Sequence, residues 1–375
     1  MTLKFIKRSL PLVVLAIAFV TNSAVSSQED KPVEQVRKNI QALKGLPDSQ
    51  FMPLMNYFNA SLGVRCNFCH TMKDGHLDFV NDEHEHKGIA RQMIKMVQDT
   101  NKNSFAGKNE IACFTCHQGR PIPAAAPSFP LAAPIGPAPR PPAAAGAPVA
   151  PPTPPPAPPT AEAVWDKYVA AVGGKEAAGK LKTRTLMGTF TNGNNQTAKG
   201  EIKFAAPGKL MTSLTTTNAE GQAVETISAT DGATGFTKNA GGARALNPFQ
   251  LNDLKVMAEV LNAIKLNDPL PKLANGRGMR VNDRPTTVIR YEQNGLRTTL
   301  LFAAETGLLV RRIDSFPTIL GAIPKQYDFE DYKEVDGVKL PMTVRVYAVE
   351  GANTGVWKFT EMKHNVSLDG VKFTQ

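Results

Sequence analysis

Residues 121–160 cannot build a core. The stretch from Pro121 to Thr160 is nearly all proline and alanine, with runs at Pro154-Pro155-Pro156 and Pro158-Pro159. Proline lacks a backbone donor and alanine has little surface to bury, so the segment favours extended polyproline II and acts as a semi-rigid spacer. It divides the 375-residue chain into a part over residues 27–120 and a part over 161–375. Two domains are also what this length leads one to expect. Such a spacer is expected to hold the two parts apart and let each fold alone. Its alanine filler presents no specificity residues, which disfavours a docking sequence for a proline-binding partner.

All four cysteines fall in the first part, in two copies of one motif. These are Cys66-Asn67-Phe68-Cys69-His70 and Cys113-Phe114-Thr115-Cys116-His117. Cys-x-x-Cys-His is the attachment motif for covalent haem. Each thiol adds across one haem vinyl group, and the adjacent histidine is placed to ligate the iron. Two covalently attached haem c groups are therefore expected, on Cys66 and Cys69 with His70, and on Cys113 and Cys116 with His117. Other readings exist. The four thiolates could form a zinc site, although zinc does not require a histidine after each second cysteine. They could form two disulfides in an oxidising compartment. A thioredoxin-like pair is disfavoured because neither motif sits in a βαβ pattern.

The N-terminus predicts export. Lys4, Lys7 and Arg8 form a positive region, Leu10 to Val20 an apolar run, and Ala24-Val25-Ser26 a small-residue cleavage site. Residues 1–26 thus read as a signal peptide, which places the mature protein in the periplasm or otherwise outside the cytoplasm. The run is short for a membrane span, so an uncleaved anchor is the rival. No cysteine near the cleavage site could take a lipid. The formal net charge is +10, but lysine and arginine exceed aspartate and glutamate only 12 to 9 over residues 31–120 and 27 to 22 over 161–375. No basic cluster emerges, which argues against a nucleic-acid partner.

In the first part, apolar spacing predicts three helical segments. Val36, Ile40 and Leu43 give one stripe. A second helix from about Gln50 to Ser61 carries Met55, Phe58 and Leu62 on one side and stops at Gly63. A third from about Glu83 to Asn101 carries Ile89, Met93, Met96 and Val97. Each haem motif thus follows a methionine-bearing helix. Methionine on a helical stripe ordinarily fills a core. Beside a haem motif it is a candidate sixth ligand, and thioether ligation favours the ferrous state. His76, His84 and His86 compete, but the stretch Asp74 to Lys87 reads as a polar, solvated loop.

The run from Phe51 to His70, the segment Lys87-Gly88-Ile89-Ala90-Arg91-Gln92-Met93-Ile94-Lys95-Met96, and Ala112 to Gly119 resemble the cytochrome c subunit of photosynthetic reaction centres. The resemblance spans about Gln50 to Pro123. It implies a repeated unit of methionine-bearing helix, turn and haem motif, with the helix parallel to the haem plane. Carried over by position, it implies Met93 as the ligand opposite His117 and Met55 opposite His70, with Met52 the alternative to Met55. The family's photosynthetic members carry four haems, and this chain has motifs for two. They also carry a histidine between the second methionine helix and its motif, whereas residues 97–112 contain none here. Met55 lies two residues closer to its cysteine than in the tetrahaem pattern. The resemblance implies a redox protein or a membrane electron-transfer complex as partner. The departures point to a general extracytoplasmic carrier rather than direct reduction of a pigment pair.

The second part predicts an antiparallel α+β domain. Thr160 can cap a helix bearing Trp165, Tyr168, Val169 and Val172 that ends at Gly173-Gly174. Alternating segments follow at Thr183 to Thr191, Lys199 to Phe204 and Lys209 to Thr217. Asn247-Pro248 opens a helix bearing Leu254, Met257, Ala258, Leu261 and Ile264. Turns at Glu305-Thr306-Gly307 and Asp336-Gly337 separate later strands. Tyr168 with Gly173-Gly174, Leu301 to Arg311 and Tyr327 to Pro341 make this half similar to the periplasmic lipoprotein-carrier fold, an open β-barrel with helices over its mouth. That resemblance implies an apolar ligand, beside which a ligand-free sheet or a docking role stays open. His364, the sole histidine here, is expected in a terminal strand with a surface role. No catalytic constellation is apparent.

The architecture expected is therefore multidomain: a small mainly-α dihaem c-type cytochrome domain, a Pro/Ala-rich linker, then an α+β domain of antiparallel open β-barrel type. One-electron transfer is the function this implies, without enzymatic turnover. The rivals are a dihaem peroxidase or reductase, which needs an exchangeable haem site, and a haem-containing sensor or apolar-ligand module.

Overall fold

The computed structural model describes residues 30–126, 158–260, 272–276, 278–350 and 354–375. The expected signal peptide and most of the expected spacer lie outside these residues, as do Leu261 and Ile264.

The N-terminal segment contains α1 (Val33–Val36), α2 (Asp48–Leu62), the hairpin β1 (Thr71–Lys73) and β2 (His76–Asp78), α3 (Glu85–Ser104) and the single turn α4 (Cys113–His117). α2 ends where its sequence says it should: Gly63 adopts φ 67°, and its backbone N–H bonds the Asn59 carbonyl. The first expected helix is cut short. α1 stops at Val36, which is 52% exposed. Ile40 and Leu43 lie on irregular chain, because Asn39 turns to φ 57°. That conformation lets the Asn39 amide donate to the Val80 carbonyl at 2.6 Å and to Asp82 Oδ1 at 2.7 Å. Leu43 and Leu46 are nevertheless buried, and the Val33 N–H bonds the Leu46 carbonyl at 2.7 Å. Of the expected stripe only Leu43 is buried, so the segment reaches the core without helical periodicity.

The C-terminal segment opens with α5 (Ala161–Ala171) and α6 (Gly174–Gly179). Thr160 Oγ1 accepts from the Ala163 N–H at 3.2 Å, so the expected cap is present. Strands follow as β3 (Thr183–Asn192), β4 (Thr197–Ala205), β5 (Lys209–Thr217), β6 (Ala223–Thr230), β7 (Gly235–Asn239) and β8 (Gly242–Ala245). Then come α7 (Pro248–Val260), β9 (Ala274–Asn275), β10 (Arg280–Val281), β11 (Arg284–Gln293), β12 (Leu296–Ala303), β13 (Leu309–Thr318), β14 (Gly321–Val335), β15 (Val338–Ala348) and β16 (Gly355–His364). Asn247 Oδ1 accepts from the Gln250 N–H at 2.9 Å, which caps α7 ahead of Pro248.

These strands form one antiparallel sheet in the order β10-β11-β12-β13-β14-β15-β16-β3-β4-β5-β6-β7-β8, with β9 against β11. The last strand returns to pair with the first long one, Trp357 opposite Phe190 and Lys363 opposite Thr185. The two ends of the path, β10 and β8, do not pair with each other. The expected α+β class with an open antiparallel sheet is what the chain forms. α5 packs Ala161 and Val164 on Ile289, Leu300 and Phe302. α7 covers another stretch of sheet through ion pairs: Asp253 meets Lys325, and Glu259 meets Arg312 at 3.2 Å. Arg312 also bonds Asp314 at 2.8 Å, and Thr298 Oγ1 donates to fully buried Asp314 at 2.7 Å. Buried charges persist only when so paired.

The two segments are not held apart. One continuous core contains Leu54, Tyr57, Ile94 and Val97 of the first together with Leu254, Phe316, Leu320 and Ile323 of the second. α2 lies against α7 and β14. A proline-rich connection sets how far two bodies can separate, but it cannot prevent contact when each carries an apolar face.

Candidate functional site

Both Cys-x-x-Cys-His motifs fold as short helical turns. Residues Cys66–Phe68 make one turn of 3-10 helix, and Cys113–His117 make α4. A helical turn puts residues three and four apart on one side. Each cysteine pair and its histidine can therefore address one planar group. All four thiols are free. No cluster of histidine, cysteine, aspartate or glutamate among the described residues could hold a metal ion, so the two pairs do not converge into the four-thiolate zinc alternative.

The first motif is fixed from two sides. Asn59 Nδ2 lies 3.7 Å from Cys66 Sγ, one helical turn beyond Met55. Met55 lies one turn before Asn59 on α2 and packs against the core. Met55 is half-buried, and Met52 is 48% exposed. On the other side, the His86 ring stacks on Phe68 with centroids 4.1 Å apart, and its Nδ1–H donates to the Phe68 carbonyl at 2.9 Å. His70 is half-buried with its ring edge-on to Phe79 at 5.0 Å. Burial first, then Lys87, His84 and Arg91, hold it below the ordinary imidazole range. A neutral imidazole is the form that ligates a metal. Its Nδ1 is buried without a hydrogen-bond partner.

In the second motif the His117 Nδ1–H donates to the Arg120 carbonyl at 3.0 Å. That bond fixes the tautomer and leaves the Nε2 lone pair for a metal. Thr115 Oγ1 accepts from the Ala112 N–H at 3.0 Å and starts the turn. Burial pushes the Cys113 thiol up to about 11, while Cys116 is exposed.

The motifs are joined to each other. The Gly119 N–H bonds the Ser61 carbonyl at 2.8 Å, so the end of α2 touches the first motif through Asn59 and the second through Ser61. α3 makes the other bridge. His86, at its start, grips Phe68. Asn101, near its end, donates to the Ile111 carbonyl at 2.7 Å and accepts from the Ile111 N–H at 3.0 Å.

α3 also has two apolar faces. Ile94, Val97 and Asn101 are buried. Ile89, Met93 and Met96 form an outward stripe, exposed by 48%, 39% and 48%. Val97 thus leaves the stripe expected from sequence and joins the core. An uncovered apolar stripe is a surface that a planar apolar group can cover. Among the described residues, the tie from α3 to the second motif runs through Asn101, not through Met93. The residues present fit covalent haem: paired thiols on short turns, a neutral His70, a His117 oriented through Nδ1, and an uncovered apolar stripe.

Other expected positions fall out differently. His76 is exposed in β2, as expected of a solvated loop, but His84 and His86 are half-buried near the first motif. His364 does lie in the terminal strand β16, yet its side chain is only 1% exposed and its Nδ1 meets Asp336 at 2.8 Å. The expected surface role is therefore corrected: the ring points inward. His86 and Asn101 are positioning residues that sequence reasoning missed. Neither has a periodic signal, because each acts by bonding backbone distant in sequence.

Residues 13–128 match the model of the family described as Photosynthetic reaction centre cytochrome C subunit. That is the expected family. The reaction-centre cytochrome match covers both motifs, Met55 and Met93. The chain is 33% identical over 89 residues to cytochrome c-554 of Chloroflexus aurantiacus, covering 22% of this chain and 20% of that protein. It is 29% identical over 99 residues to the photosynthetic reaction center cytochrome c subunit of Roseobacter denitrificans, covering 24% of this chain and 26% of that protein. The chain thus spans only about a fifth to a quarter of the length of these curated relatives. Two solved structures resemble the C-terminal half. One is a DUF1329 family protein from Desulfovibrio piger, with TM-score 0.40, 11% identity and coverage of 57% of this chain and 97% of that one. The other is the LolA superfamily protein NE2245 from Nitrosomonas europaea, with TM-score 0.39, 11% identity and coverage of 58% and 98%. Among the described residues no helix is long and apolar enough to cross a membrane.

Proposed function

We propose that this chain is an exported dihaem c-type cytochrome that passes single electrons outside the cytoplasmic membrane. The observation that carries the reading is the pair of Cys-x-x-Cys-His turns linked through the C-terminal end of α2, by Asn59 to Cys66 and by Ser61 to Gly119. Covalent haem supplies a one-electron ferric–ferrous couple. The chain supplies the rest. Cys66, Cys69, Cys113 and Cys116 hold two haem c groups. His70 and His117 would supply the imidazole ligands to the irons, and Met55 and Met93 the thioether ligands.

A couple held between histidine and a thioether on both sites changes little in coordination when it changes charge, which suits a carrier. A peroxidase or reductase would need an exchangeable position. Met55 as the sixth ligand at the first site would leave none there. The partner in this reading is a redox protein or a membrane electron-transfer complex. For the C-terminal half, contact of α2 with α7 and β14 supports a docking role over an apolar-ligand carrier.

Spectroelectrochemical titration of the purified protein tests this. Two one-electron steps are expected, with both ferric haems low-spin and showing the weak near-infrared band of sulfur ligation. A high-spin haem with fast peroxide turnover would move the chain to the enzyme class.

A further inference from the structure

The tip of the β13–β14 hairpin is buried on one side, through Thr318, Leu320 and Gly321, while Ile319 faces out at 36% exposure, and such burial is unusual for a two-residue turn. Thr318 pairs with Gly321 across Ile319-Leu320. Thr318 Oγ1 donates to the Gly321 carbonyl at 2.7 Å and accepts from the Leu320 N–H at 3.2 Å, so the turn is closed by its own hydrogen bonds. Leu320 is 0% exposed and belongs to the same core as Leu54 and Tyr57 of α2. The tip meets the residues that lead into the second haem motif. Asn109 Nδ2 donates to the Thr318 carbonyl at 2.9 Å. A Cβ placed on Gly321 would stand 2.9 Å from the Ala112 Cβ, so only glycine lets the hairpin tip come this close to the residue that opens α4. Ala112 and Cys113 pack against that core, while Phe114 is 53% exposed and Cys116 is open to solvent.

We propose that the β13–β14 hairpin tip is a built-in cover for the Cys113 side of the second haem site, leaving the Cys116 side as the edge where an external redox protein exchanges electrons. The C-terminal half then acts on the cytochrome directly. It desolvates one flank of the second site and not the first, and removing water from around a haem stabilises the less charged ferrous state. The haem on His117 is thereby held at a higher potential than the same site uncovered. This rests on the dihaem reading above.

The test uses the full-length, haem-loaded protein. Asn109→Ala removes the hydrogen bond from the cytochrome side without altering the hairpin, and Leu320→Ser weakens the plug from the other side. Hydrogen exchange and the potentials of both haems are read together. Faster exchange at residues 111–115 and a lower potential for the haem on His117 alone are expected of both variants, with protection in β14 and β15 unchanged in Asn109→Ala. Wild-type exchange in both variants overturns the cover. Faster exchange without a shift in that potential also overturns it, since the tip would then be a fastening with no effect on the haem. Absence of haem from the wild-type protein would overturn the dihaem reading instead, and the exchange measurement would still decide whether the tip covers residues 111–115.

Discussion

The Gly119 carbonyl occupies the space that a side chain on Gly63 would need: a Cβ built on Gly63 stands 2.1 Å from that oxygen. Gly63 closes α2 ahead of the first motif, and Gly119 follows the second, so this contact is where the two sites are held together. Gly63→Ala is expected to lose on the order of 2–3 kcal/mol, from positive φ and the clash combined. Denaturant unfolding of the full-length protein checks it, together with haem content after expression. A variant as stable as wild type would mean that the ends of the two units do not touch.

The candidate ligand on α3 has a distinct signature. If Met93 ligates the haem on His117, Met93→His should lower that potential and leave the haem on His70 alone, because imidazole stabilises ferric iron better than a thioether. Should neither potential move, Met93 is only a member of the exposed stripe it shares with Ile89 and Met96.

Much of this was legible, and the part that was not has a physical cause. Gly63, Thr160, Asn247 and the turns at residues 305–307 and 336–337 act on their own few neighbours, so sequence showed them. So did the haem motifs, whose chemistry demands fixed spacing. The short α1 was missed because Asn39 takes its conformation from partners near Val80 and Asp82. Along α3, the stripe of Ile89, Met93, Met96 and Val97 blended two faces, since one apolar face serves the core and the other stays exposed. The ties His86 to Phe68, Asn101 to Ile111 and Asn109 to Thr318 are polar contacts without periodicity, and the last bridges a spacer that suggested separation.

His364 gives a pH dependence of definite sign. Burial, with the Arg184 charge, lowers its proton affinity more than Asp336 raises it. The folded ring therefore stays neutral where the unfolded one, near pH 6.5, already takes a proton. Its stabilising contribution is complete above that pH and declines as pH falls through it. The thermal midpoint of the C-terminal half should drop between pH 7 and pH 5.5. His364→Gln should flatten the drop, and an equal drop in that variant would remove His364 as its source.

The account stands on two covalent haems in one chain. Acid–acetone extraction of the denatured protein, followed by haem quantification and intact mass, measures this directly. Two haems retained per chain, one in each Cys-x-x-Cys-His motif, is the predicted result. A single retained haem would demote one motif, and bound zinc with no haem would contradict the account altogether.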